Sequence, residues 1–200
     1  RSWWRVAVFG VLAVVAAHLL DGWAWRHLVD PAIYENDRGR LLRVIGYYPL
    51  WIALAVALYL HRRDRLQALF LGLVPGFGGL LAEVLKLLFR RERPVPHGGE
   101  YFFRSFGERT FSTSGLAMPS SHALVAFAGA FALCKLYPRA WPVWVLFAIG
   151  CGTTRVLAHA HFLSDVVLAA VAAWVMVELV YPMFGGQAPG SSSSSRLASG

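Results

Sequence analysis

The sequence predicts an all-α, polytopic membrane protein: a bundle of six transmembrane helices whose chemically active residues gather at one membrane face. Three observations carry that expectation. Apolar runs of about 18 residues recur along the 200-residue chain, each long enough to cross a ~30 Å hydrocarbon core as a helix. Hydrophobic residues make up 57% of the chain and charged ones 15%, and the charges sit mostly between the runs. No stretch alternates with period two, as barrel strands would, so helices are left to satisfy the backbone in lipid.

The first run, 4–20, has a short apolar heart and a basic flank at Arg5, like a signal peptide. No small-residue cleavage site follows it, and Trp23 and Trp25 do, so a retained span is expected. The others are 45–60, 66–89, 120–136, 142–159 and 162–182. Trp3, Trp4, Tyr47, Tyr48, Tyr137, Trp141 and Tyr181 cluster near the ends, as interfacial anchors do. The third run carries "VPGFGG" at 74–79, where Pro75 removes a helix hydrogen bond and is expected to kink the helix. The small residues beside it suit close helix packing. Residues 21–44 mix charges and aromatics and are expected to hold a short interfacial helix. Residues 90–118, rich in Arg, Gly and Phe, form the second long connection. Residues 1–185 thus form one transmembrane domain. Residues 186–200, "GQAPGSSSSSRLASG" from Gly186 on, are expected to be a disordered Gly/Ser-rich tail of the composition of a cloning remnant.

The formal net charge is +8. The arginines lie in short loops and form no basic stripe, which argues against nucleic acid and for anionic lipid and phosphorylated substrates. Cys134 and Cys151 both fall inside apolar runs and imply neither a disulfide framework nor a metal motif. Counting crossings puts both long connections and the turn between the last two spans on one face. The tight loops of the other face hold Arg62, Arg63, Arg65, Lys135 and Arg139 against Asp64 alone, so that face is expected inside. Nothing in the sequence speaks to oligomeric state.

Three stretches on the shared face carry chemistry. In "KLLFRRERP", 86–94, Lys86 and Arg93 are seven residues apart, two turns of one helix face if the helix continues. Glu83, one turn earlier, is expected to pair with Lys86 or Arg90. In "MPSSHA", 118–123, Ser120 is placed to cap a helix whose first turn offers free N–H groups and His122 to an anion. In "RVLAHAHFLSD", 155–165, Arg155 and His159 are four apart, as are His161 and Asp165. A carboxylate that accepts a hydrogen bond from one imidazole nitrogen leaves the other free to attack or to bind metal. A metal reading would recruit His159, His161, Asp165 and His122. Lys86, Arg93 and Arg155 on the same face oppose it, because three cations around a divalent metal cost Coulomb energy while around a phosphate they gain it.

In order and on one face, "K-x6-RP", "PSSH" and "R-x5-H-x3-D" resemble the motifs of the type 2 phosphatidic acid phosphatase superfamily over about residues 66–180. Ser121 stands where the family usually has glycine and Thr154 where it has serine. The resemblance selects His161 over His159 and implies a mechanism. Neutral His161 attacks phosphorus, forming a phosphohistidine. Asp165 orients it. Lys86, Arg93, Arg155, Ser120 and the backbone near Ser121 and His122 neutralise the phosphoryl oxygens. His122 protonates the leaving oxygen and then activates water. No metal or other cofactor is implied, and His159 is left as a packing residue. The expected substrate is a lipid phosphate in the bilayer. Arg90, Arg91, Arg104 and Arg109 are candidate contacts for a second phosphate or a headgroup, favouring undecaprenyl pyrophosphate, phosphatidylglycerophosphate or lipid A over a single-phosphate lipid such as phosphatidic acid. A bacterial cytoplasmic membrane with the site on the extracytoplasmic face is the expected setting. A lipid phosphotransferase with the same intermediate, or a non-catalytic lipid-phosphate binder or transporter, are the alternatives.

Overall fold

The computed structural model describes residues 3–185, which excludes the tail. Among them are seven α-helices: α1 (Trp3–His27), α2 (Asp37–Val44), α3 (Tyr48–Arg62), α4 (Arg65–Phe89), α5 (Ser121–Leu136), α6 (Trp141–Leu157) and α7 (Leu163–Val180). The described residues hold no strand, only two isolated bridges in the 90–118 connection.

Four segments are long and apolar enough to cross a bilayer: Ala7–His27, Arg65–Phe89, Pro138–Leu157 and Leu163–Phe184. α2 and α3 together pass the same test but are bent by 66° at the break between them, which brings the count to five. At 16 residues α5 is shorter than a full span, so the expected count of six is not reached on length.

α5 is nonetheless the centre of the fold. It is apolar all round, and a helix of that kind belongs in an interior. Ten of its 16 residues are buried, and α4, α6 and α7 pack around it. Alanine and glycine let the neighbours approach closely. A Cβ on Gly78 of α4 would lie 2.8 Å from Leu124 Cδ2, too close to fit unless Leu124 moved. The small residues of "VPGFGG" therefore serve packing, and α4 runs on through Pro75 as one helix. Large apolar side chains such as Phe9, Leu80, Leu146 and Leu179 point outward, a surface too apolar for water and suited to lipid.

Helix ends follow local chemistry. Arg63 ends α3 in the left-handed conformation, and Asp64 then caps α4 by accepting from the Gln67 N–H at 3.0 Å. Two expected boundaries are corrected. α1 continues seven residues past Leu20, to His27, so Asp21 belongs to a helix and not to a loop. α4 stops at Phe89, where Arg90 turns left-handed (φ 53°). Arg93 therefore does not share a helix face with Lys86. The short helix expected within 21–44 is α2.

Candidate active site

The ends of α4, α5, α6 and α7 meet at one end of the bundle. Lys86, in the last turn of α4, is 6% exposed and donates from Nζ to Glu83 at 2.8 Å and to Ser121 Oγ at 2.5 Å. The Ser121 hydroxyl in turn donates to Glu83 at 2.7 Å. α5 opens as expected: Ser120 is the N-cap, its Oγ accepting from Ala123 N–H at 3.5 Å. That leaves the first N–H groups of the helix, at Ser121 and His122, to face an anion. The Ser120 N–H donates to the Asp165 carbonyl at 3.2 Å, which ties the start of α5 to the start of α7.

The sharp turn at 158–162 separates the two histidines. His159 adopts φ 53° and stacks its ring on Trp25 at a centroid distance of 3.8 Å. Arg155 and His159 therefore do not share a continuous helix face, nor do His161 and Asp165, since α7 begins only at Leu163. Asp165 is the third residue of α7 and accepts the Phe162 N–H at 2.8 Å, which fixes the turn. The same Oδ2 faces His161 Nδ1 at 3.6 Å. That is longer than a hydrogen bond, and Nδ1 has no hydrogen-bond partner among the described residues. Such contacts often tighten only when substrate is bound. Burial pushes the His161 imidazole down to about 4; Asp165 opposes this, and Arg155 and Arg93 reinforce it. At neutral pH the ring is neutral, the form a nucleophile needs.

Arg93 reaches the site through the loop. Its N–H donates to the Gly115 carbonyl at 3.0 Å, and it comes close enough to Arg155, Glu83 and His161 to interact with each. Partial desolvation and the neighbouring Arg155 hold the guanidinium below its usual range. Cations crowded in this way repel one another, and a phosphate relieves the repulsion.

Three of the four loop arginines turn inward instead of towards a headgroup. Arg90 is 2% exposed and donates to the carbonyls of Arg104, Ser105, Glu108 and Thr110, folding the loop around itself. Arg104 is held by Glu92 at 2.7 Å and by the carbonyls of Ser112 and Ser114. Arg91 is 1% exposed and pairs with Asp165, with Ser164 Oγ at 2.7 Å and, more loosely, with Asp21 at 3.9 Å. Burial would raise Glu92, but His97 and Arg104 hold its carboxyl below the ordinary range. Arg109 alone of the four stays exposed.

Reasoning from the sequence missed the layer behind Asp165. Asp21 of α1, 1% exposed, accepts from the Ser164 N–H at 2.8 Å, from Ser164 Oγ at 2.5 Å and from the Tyr101 hydroxyl at 3.0 Å. It also missed Tyr34, whose hydroxyl accepts from Arg155 Nη1 at 2.9 Å and donates to the Thr154 carbonyl at 3.1 Å. An acid at the end of an apolar run was the available signal for Asp21. Among the described residues, no three His, Cys, Asp or Glu side chains are grouped to hold a metal ion.

Known proteins match this sequence. The sequence model of the PAP2 superfamily matches residues 67–188, which span all three motifs. The chain belongs to the PAP2 superfamily. Two curated relatives are similar to it. The lipid A 1-phosphatase of Rhizobium etli is 28% identical over 91% of this chain and 87% of its own length. That of Rhizobium johnstonii is 36% identical over 56% of this chain and 49% of its own. No solved structure matches significantly. This PAP2 protein is a phosphatase, a hydrolase of phosphoric monoesters, and its apolar helices fit a membrane protein.

Proposed function

We propose that this PAP2 phosphatase hydrolyses a membrane-lipid phosphomonoester or pyrophosphate through a phosphohistidine at His161, without a metal. One observation carries the reading: the buried His161 faces the Asp165 carboxylate at 3.6 Å, close enough to the cations Arg155 and Arg93 to interact with both. His161 attacks phosphorus from Nε2 while Asp165 stabilises the charge that develops on the ring. Lys86, Arg93, Arg155 and the N-terminus of α5 take the phosphoryl oxygens, which is where stabilisation is most needed in phosphoryl transfer. Ser120 shapes that N-terminus and Ser121 holds Lys86. His122 hands a proton to the leaving oxygen and later draws one from the attacking water.

The names of the relatives support the 1-phosphate of lipid A as the first candidate substrate. Undecaprenyl pyrophosphate, phosphatidylglycerophosphate and phosphatidic acid follow. With Arg90, Arg91 and Arg104 turned inward, Arg109 is the loop cation left for a second phosphate. The enzyme resides in a bacterial membrane. α5 serves as a sixth crossing: at ~1.5 Å per residue it spans about 24 Å, and both its ends are tied to α7, by the Ser120 N–H to the Asp165 carbonyl and by Lys135 to Glu178 at 2.6 Å. The basic loops around Arg62 and Arg139 support a cytoplasmic location for their face, with the site on the extracytoplasmic one.

The test is phosphate release from a panel of lipid phosphates by the detergent-purified enzyme in excess EDTA. Wild type and His159→Ala should turn over, and His161→Ala should not. Loss of turnover in EDTA and in both histidine variants would put a metal at the centre instead.

A further inference from the structure

The connection between α1 and α3 lies outside residues 67–188, yet it is built into the site. Gly46, at the bend between α2 and α3, abuts the first turn of α5: a Cβ there would lie 2.7 Å from the His122 carbonyl oxygen and 2.9 Å from its Cβ. The Gly46 N–H donates to the Arg43 carbonyl at 3.0 Å, so Arg43 sits one turn from the backbone that touches His122. The Arg43 guanidinium carbon lies 4.7 Å from the centroid of the Tyr34 ring, and that of Arg155 lies 5.7 Å from the same centroid.

Tyr34 is fixed at several points. Its hydroxyl bonds Arg155 and the Thr154 carbonyl, and its own carbonyl accepts from Arg40 Nε at 2.8 Å. Arg40 has Asp37 at 3.7 Å. Arg43, by contrast, is exposed and has no carboxylate at ion-pair distance among the described residues. Two guanidiniums against one phenol, with no acid between them, form an arrangement that a bridging anion would stabilise.

We propose that Arg43 is a further phosphate-binding residue of this enzyme, on the His122 side, and that Tyr34 is a positioning residue that holds Arg155 and Arg43 for the same phosphate. The ligand chemistry is an anionic phosphate oxygen. The inference rests on the phosphatase reading, but phosphate binding can be measured without turnover.

The experiment follows the rise in unfolding midpoint of the detergent-purified full chain as inorganic phosphate is added, beside the KM for a lipid monophosphate. Arg43→Gln should weaken phosphate binding and raise KM by about tenfold or more, the range for a hydrogen bond to a charged group. Arg43→Lys should recover part of both. Arg38→Gln, an exposed change on the same helix, should alter neither, which separates a local contact from general attraction to the membrane surface. Tyr34→Phe should weaken phosphate binding and lower kcat, since Arg155 loses its hydroxyl partner. A phosphate affinity of Arg43→Gln within twofold of wild type overturns the assignment, whatever KM does. An enzyme that binds phosphate through Arg43 but does not turn over would sink the reaction proposed above and leave this inference standing. An unfolding midpoint near wild type in the absence of phosphate shows that each variant is folded.

Discussion

Arg91→Met should be among the most damaging single changes in this protein outside the catalytic residues. Arg91 is 1% exposed and is the guanidinium that faces two buried carboxylates, Asp165 directly and Asp21 at 3.9 Å, besides bonding Ser164 Oγ at 2.7 Å. Methionine fills similar space, so lost packing is a small part of the effect. What remains is an acid that is fully buried, held by the Phe162 N–H, with the His161 ring at 3.6 Å too far for a hydrogen bond. Removing one partner of a buried pair costs about 3–5 kcal/mol. In a domain of this size that is a fall of roughly 10 °C in unfolding midpoint. Asp21→Asn, which keeps the shape and leaves the Arg91–Asp165 pair intact, should cost only about 1–2 kcal/mol. Added to Arg91→Met, it should cost less than it does alone, because one uncompensated acid is gone. The assay is thermal unfolding in detergent, followed by tryptophan fluorescence, with turnover measured on the same preparations. A midpoint for Arg91→Met within about 2 °C of wild type, or a double variant in which the two losses simply add, would refute the reasoning.

Further outcomes are expected. Lys86→Gln should raise KM by about tenfold or more, the range for losing a charged hydrogen bond to phosphate, measured by steady-state phosphate release. Arg90→Ala should release the 104–110 carbonyls, so that limited trypsin digestion cuts at Arg109 at least severalfold faster. Because His161 is held near 4 rather than near ~6.5, its neutral form persists as pH falls. The acid limit of phosphoenzyme formation in single-turnover experiments should therefore lie below about pH 5. For stability the sign is fixed as well: between those two values the unfolded chain takes up a proton that the folded chain refuses. The contribution is complete above the unfolded value and is lost as pH falls toward 4; His161→Asn should flatten that dependence in unfolding measurements.

Much of this was legible in the chain. Apolar runs bounded α3 to α7 to within a few residues, because bilayer length and the Ser120 cap are local signals. The three motifs marked the residues that meet at one end of the bundle. What the sequence hid is long-range polar pairing. Nothing near Arg91 announces that its partner is 74 residues away, and the left-handed turn at Arg90 that sends it inward looks, in "FRRERP", like more of the same basic run. Asp21 was masked by a span drawn one residue short of it. The inward turn of Arg90 and Arg104 follows from backbone carbonyls that the loop itself creates, which no residue pattern displays.

The central claim, a covalent phosphohistidine at His161, is most directly tested by trapping it. The enzyme would be mixed with a radiolabelled lipid phosphate in excess EDTA, quenched within milliseconds, and assayed for label bound to protein. A label that is acid-labile and base-stable, present in wild type and His159→Ala and absent in His161→Ala, is the predicted result. Full turnover without any such label, or label that survives in His161→Ala, would contradict it.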